Sequence, residues 1–395
     1  MSARQVCAFL ACASVAWATP LYMVTDLGDL PGGTNWSQAT SLNEYGQVVG
    51  YSKVDGGNDH AFLWTPNVPN GTTGTMIDLG DLPGGQNSSQ AMGINNLGQI
   101  TGVSSSQDGR RAFVWTPQVP NGTVGTMTAL GTLPGTSPTS SGAAINDAGQ
   151  VVGSSYCGAY PDQHYRPFLA HASGGELTNL GTLSDIHDSH AYAINSSGQI
   201  VGLCGSMATL WMPNTPNGFE GQLIPLGDLP GGSESSTAVA INDRGQVAGS
   251  GHTSGGWRGA VWTPHEPNGT TGSWVSIGDL PGGEAHSNAL DINNLGQVVG
   301  VSKAADGDRA VFWSITEGLL DLNTLLDASG EGWILTKAFA INDRGQIVGY
   351  GMFDPDGAGP LPAVGRGFLL TPVPEPSTIG FLAVGLILLG IRRRR

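Results

Sequence analysis

The chain has 395 residues and a formal net charge of −15 at pH 7, with only 12% charged residues and 62 glycines. Several of its few cations, Arg4 and Arg392 to Arg395, sit at the two ends, so the body between them is more acidic still. A body of that sign repels DNA, RNA and anionic lipid surfaces, which argues against nucleic-acid binding.

Residues 1–19 read as a secretory signal peptide. Arg4 supplies the positive start, Val6 to Val15 the apolar run, and Ala16-Trp17-Ala18 a small-x-small cleavage site. The body, residues 20–372, then opens with a β-rich run from Tyr22 to Leu27 and a Pro-Gly-Gly loop from Asp29 to Gly33. Ala39 to Asn43 and Gln47 to Ser52 form the next two runs, and His60 to Thr65, carrying Trp64, the one after. The polar loop Asp55 to Asp59 and the linker Pro66 to Gly74, with Pro69-Asn70-Gly71 inside it, separate them. Thr75 to Leu79 begins the next copy.

The copies are marked by the stretch Ile-Asn-x-x-Gly-Gln. It reads Leu42 to Gln47 first, then Ile94 to Gln99, Ile145 to Gln150, Ile194 to Gln199, Ile241 to Gln246, Ile292 to Gln297 and Ile341 to Gln346. A recurrence of about fifty residues signals a repeat architecture. Asn opens a tight turn by bonding backbone two residues on, and Gly takes the positive φ that closes it. Each copy therefore reads as a hairpin turn and not as a reactive site. No stretch of the body keeps a helical period, and four short strands per unit match a propeller blade. The expected fold is all-β, a seven-bladed β-propeller of four-stranded blades, flanked by the signal peptide and a C-terminal apolar helix. Small residues such as Gln90-Ala91-Met92-Gly93 place the strand before the turn innermost. On that phase Tyr22 to Leu27 completes the last blade beside Gly367 to Thr371. Trp64, Trp115, Trp211, Trp262 and Trp313 recur at one position, which favours packing between blades over a sugar ladder.

Residues 373–395 change composition. Pro374-Glu375-Pro376 leads into the apolar run Ile379 to Ile391, and the chain ends in Arg392, Arg393, Arg394 and Arg395. This tail is read as a membrane helix whose arginines favour a cytoplasmic end. It resembles the PEP-CTERM sorting signal of exported bacterial proteins. The resemblance implies an exosortase-type processing partner, removal of the tail, and a Gram-negative host. The protein would then be anchored transiently in the inner membrane before reaching the cell surface or matrix. The repeats resemble the HAF-type extracellular repeat, with His60-Ala61-Phe62 intact and Arg111-Ala112-Phe113 close to it. That resemblance implies export and repetition, and no activity that can be placed on residues.

The loop from Ser184 to His190 breaks the Asp-Leu-Pro-Gly-Gly pattern and concentrates titratable groups. Asp185, His187, Asp188 and His190, with His164 from the neighbouring loop, are the candidate ligands for a divalent metal or an acid–base site. The plain alternative is a solvated polar loop, since no zinc spacing is matched. Asp306-Gly307-Asp308 and Asp354-Pro355-Asp356-Gly357 carry fragments of a calcium loop without its closing Glu. Cys157 and Cys204 lie in adjacent repeats, and both a disulfide and two separate thiols fit that placement. Two functions are weighed: a non-enzymatic surface protein binding extracellular glycan or a surface protein, and a secreted polysaccharide lyase or hydrolase. The regular repeats, with one irregular loop, favour binding.

Overall fold

The computed structural model describes residues 21–135, 139–158, 162–183, 187–232, 235–357 and 359–374. Their strands form antiparallel units of four. In the first unit Ser37–Leu42, Val48–Lys53, Asp59–Pro66 and Gly74–Asp78 pair in chain order. The second, third and fourth units repeat this order. The last unit joins Trp333–Ile341, Ile347–Phe353 and Val364–Pro372 to Tyr22–Asp26 from the start of the chain. Tyr22 lies opposite Pro372 and Asp26 opposite Phe368, so the two ends of the described chain share one sheet.

Each tight turn closes as the residue types dictate. In the first, Asn43 Oδ1 accepts from the backbone N–H of Tyr45 and Gln47, and Gly46 adopts φ 75°. The Asn side chain also reaches outward. Its Nδ2 donates to the Gln Oε1 of its own turn and to the backbone carbonyl of the Asn in the next unit. The second bond runs Asn43 to Asn95, Asn146, Asn195, Asn242, Asn293, Asn342 and back to Asn43, at 2.9–3.2 Å throughout. The seven amides thus form a closed ring around the axis. They are buried, and both ends of each amide are bonded, as burial of a polar group requires.

A second set of bonds joins neighbouring units further from the turns. The hydroxyls of Ser37, Ser89, Ser140, Ser236 and Ser287 accept from the third-strand backbone of the preceding unit at 2.9–3.2 Å. Between the sheets lie apolar layers containing Phe62, Phe113, Phe168, Phe312 and Phe368, all fully buried. The recurring tryptophans are buried too, at 1–9% exposure. Gly74, Gly125, Gly221 and Gly272 make room for four of them, because a Cβ there would stand 2.5–2.7 Å from the indole. Those tryptophans are packing residues and offer no face to a sugar.

Two parts of the expected fold class are corrected. The fifth and sixth units are not separate sheets. Gly256–Pro264 and Gly282–Ile292 meet in a parallel pairing at Trp257 and His286, which merges them into one eight-stranded sheet. The C-terminal apolar helix is likewise not found: the last described element is the strand Val364–Pro372, and the helices among the described residues are two short 3-10 turns. Pairing on both sides commits that backbone to the sheet, and prolines at 372 and 374 oppose a helix directly after it.

No helix among the described residues is long and apolar enough to cross a membrane. The transmembrane helix, membrane contact through the tail and transient inner-membrane anchoring therefore have no spanning element behind them among the described residues. The run Ile379 to Ile391 would also reach only about 20 Å as a helix, against a hydrocarbon core of about 30 Å. That run, the signal segment 1–19, Glu375, Pro376 and Arg392 to Arg395 lie outside the described residues.

The turn geometry makes a stability prediction. At Gly98 (φ +78°) a Cβ would meet Asn121 Cα at 2.9 Å, whereas Gln99 contributes one hydrogen bond to Asn95. Gly98→Val is expected to cost at least about 2 kcal/mol and Gln99→Ala about 1 kcal/mol. Thermal melts of the two variants check the order.

Candidate functional site

The unit topology gives the molecule two ends. At one lie the Asn turns; at the other lie the Pro-Gly-Gly loops and the links between second and third strands. The turn end holds an axial cavity of about 220 Å³, lined by the ring asparagines, by Leu42 and six isoleucines, and by a rim residue from each unit. The rim consists of Glu44, Asn96, Asp147, Ser196, Asp243, Asn294 and Asp343. Most of these side chains are already committed. Asn96, Asp147, Asp243, Asn294, Asp343 and Glu44 each accept a backbone N–H from the preceding unit at 2.7–2.9 Å. Burial pushes the Glu44 carboxyl up, and the adjacent Asp343 adds to this against the N–H it accepts. The acidic rim is thus a second ring of bonds between units.

Asp291, on the innermost strand of the sixth unit, accepts the N–H of Ile341 at 2.8 Å. Burial pushes its carboxyl up to about 6, with Asp343 adding repulsion. A raised folded value means that folding favours the protonated form. Its stabilisation is full below about pH 4 and is lost as pH rises through about 6. The full shift is worth about 3 kcal/mol, and partial solvent access of the residue reduces it. Asp291→Asn is therefore expected to stabilise the protein by about 1 kcal/mol at pH 7.5 and to leave it unchanged below pH 4. Denaturant melts at the two pH values read this out.

The loop end holds the histidines singled out from the sequence. His164 Nδ1 lies 3.4 Å from Asp188 Oδ1, which also accepts the N–H of Tyr165. His190 Nδ1 instead meets Ser154 Oγ at 2.9 Å, and its ring stacks on Tyr192 and lies tilted against Tyr165. Burial lowers its basicity, against the pull of Asp188. His187 sits by Gly205, and its carbonyl accepts from Arg166. His164 and Asp188 are thus brought into direct contact, whereas His190 takes a different partner. Among the described residues no group of three or more His, Cys, Asp and Glu side chains is placed to hold a metal ion. Asp185 lies outside the described residues. In the calcium-like fragments Asp308 pairs with Lys303 at 2.8 Å, Asp306 pairs with Arg309, and Asp356 caps the N–H of Leu361.

The two cysteines are not bonded to each other. Cys204 occupies the place of a recurrent serine. Its sulfur accepts the N–H of Leu183 at 3.0 Å, as Ser52, Ser104, Ser155 and Ser302 accept from Leu30, Leu82, Leu133 and Leu280. Burial pushes the Cys157 thiol up, which makes it a poor nucleophile. Cys204→Ser is expected to shift stability by less than about 0.5 kcal/mol, and a reductant to leave the melting curve unmoved. A large loss under reduction would reveal a disulfide.

Two features escaped the sequence reading. The Asp of the Pro-Gly-Gly loop is a counterion: Arg366 pairs with Asp29 at 2.6 Å and Arg258 with Asp279 at 3.0 Å. The co-occurrence of Arg before the buried strand core with Asp-Leu-Pro-Gly-Gly was the available signal. The second is an aromatic patch at the loop end. Trp36 lies 5.5 Å from Tyr51 and 5.9 Å from Tyr350, with Lys53 Nζ 5.8 Å from its ring. Trp36 stands outside the recurring tryptophan position, so periodicity gave no reason to notice it.

Residues 372–395 match the PEP-CTERM protein-sorting motif, so the chain carries that motif at its C-terminus. The match does not extend to the repeats, and the HAF-type resemblance rests on its letters alone. No curated protein matches. Among solved structures the chain is similar to a luciferin-regenerating enzyme at 10% identity, with 89% of this chain and 96% of that one covered and a TM-score of 0.39. A likeness at that level says nothing of activity.

Proposed function

We propose that this is an exported surface or matrix protein, sorted through its C-terminal motif by an exosortase-type enzyme, that binds an extracellular glycan or surface partner at its loop end. The observation that carries the reading is the sorting motif at residues 372–395 on a β-rich body. The distribution of chemistry supports the binding role. At the turn end most polar groups are consumed in bonds between units, whereas the loop end presents aromatic and amide side chains. The alternative of a lyase or hydrolase at the third and fourth units has no support. Its histidines take separate partners, His164 with Asp188 and His190 with Ser154, where acid–base catalysis asks for groups converging on one reacting atom.

Mass spectrometry of the surface and extracellular fractions tests the sorting step. The expected product lacks Arg392 to Arg395; intact arginines on most of the exported protein would refute processing. Incubating the purified protein with isolated matrix tests the rest. Retention without release of reducing or unsaturated sugar ends is expected, and steady release of either would make it an enzyme.

A further inference from the structure

We propose that the cleft at the loop end between the first and second units is a binding site for an uncharged polysaccharide. This rests on the binding role above and names the ligand class and the place. The cleft has a volume of about 380 Å³, within the usual range for small-ligand sites, and its lining includes Asn58, Asp59, Gln86, Gln90 and Arg110. An apolar ligand would leave the exposed Asn58, Gln86 and Arg110 side chains without partners, at a cost for each. Planar amide, carboxylate and guanidinium groups match the paired hydroxyls of a sugar ring. Asn58, Gln86 and Arg110 are exposed.

Asp59 links the cleft to the aromatic patch. One of its oxygens accepts Gln90 Nε2 at 2.8 Å, and the other pairs with Lys53 at 2.6 Å, whose ammonium stands by Trp36. Both acidic and aromatic neighbours are thereby held in fixed rotamers before any ligand arrives, which lowers the ordering cost of binding. The patch is itself built: a Cβ at Gly365 would come 2.4 Å from the Tyr350 hydroxyl and 2.7 Å from Trp36, so glycine there lets the two aromatics settle. Trp36, Tyr51 and Tyr350 are each partly exposed. They offer apolar ring surface to the C–H faces of pyranoses, and the Lys53–Asp59 pair connects them to the polar cleft.

Charge selects among sugars. The cleft lining carries one charge of each sign, Asp59 and Arg110, so no strong field of either sign marks it. The chain as a whole is at −15, which repels uronate-rich polymers at low ionic strength. A neutral chain meets no such penalty.

The test is native gel retardation of the purified full chain in dextran, galactomannan or hydroxyethyl cellulose, with alginate as the polyanion. At least one neutral polymer is expected to retard the protein, and alginate is not. Gln86→Ala with Arg110→Ala should weaken retardation at least tenfold with the melting curve unchanged, since both side chains are exposed. Trp36→Ala should weaken it likewise. Tyr165→Ala, at the third and fourth units, should leave it unaltered. Retardation by alginate alone, or retardation indifferent to the Gln86 and Arg110 changes, overturns the assignment. Loss with Tyr165→Ala overturns the place and leaves a glycan-binding protein. Retention on native matrix with no neutral polymer bound overturns the glycan and leaves the broader binding role standing.

Discussion

The closed ring of asparagine amides is the interaction on which the rest of the structure depends. Each of the seven asparagines holds its own turn through Oδ1 and the next unit through Nδ2, so local and long-range structure share one side chain. A buried amide left half-bonded costs about 1–3 kcal/mol. The ring therefore favours a closed arrangement of its seven members, because opening it would strand one donor and one carbonyl. The last bond, Asn342 to Asn43, joins residues far apart in sequence and is made only after the final unit has formed. The strand Tyr22–Asp26 completes the same closure at the periphery by pairing with Val364–Pro372.

This economy explains why so many polar and titratable groups have no chemistry to spare. Rim carboxylates that look like a cation site accept backbone N–H groups from neighbouring units. Carboxylates of the Pro-Gly-Gly loops neutralise arginines of the preceding unit at Asp29 and Asp279. Cys204 does the work of a serine. A low charged fraction is consistent with this, since the charges present tend to have assigned partners. Asp291 is the costly exception: burial disfavours its ionisation, and the N–H it accepts from Ile341 offsets only part of that.

Much of the architecture was legible because it rests on local stereochemistry. Gly98 at φ +78° and Asn95 bonding forward to Leu97 and Gln99 are decisions made within six residues. The phase of the strands came from the small residues before each turn, such as Ala91 and Gly93, and with it the place of Tyr22 to Leu27. What Asn95 does with its Nδ2 was not legible, because its partner lies about fifty residues away and no local pattern encodes it. How the histidines pack was not legible for the same reason. His164 and Asp188 do meet, but His190 turns to Ser154 and a stack of tyrosines, a choice made by packing between the third and fourth units. The expected tail helix drew on an apolar run, its terminal arginines and the sorting-signal resemblance, while the chain just before it belongs to a sheet.

The position of the aromatic patch follows from the closure. Trp36 precedes the first unit, Tyr350 belongs to the last, and Gly365 lies beside both. The seam where the two ends of the body meet is a place that repetition does not constrain in the same way. Its outer strand comes from the opposite end of the chain, and its loop Phe353 to Val364 is longer than the corresponding links of other units, such as Lys53 to Asp59. Residues there can depart from the repeat without disturbing the asparagine ring, which lies at the other end of the molecule. A scaffold that spends its polar groups on closing itself leaves recognition to those departures. Lys53 and Asp59 then carry the seam's chemistry across the first unit to the amide-lined cleft beyond it.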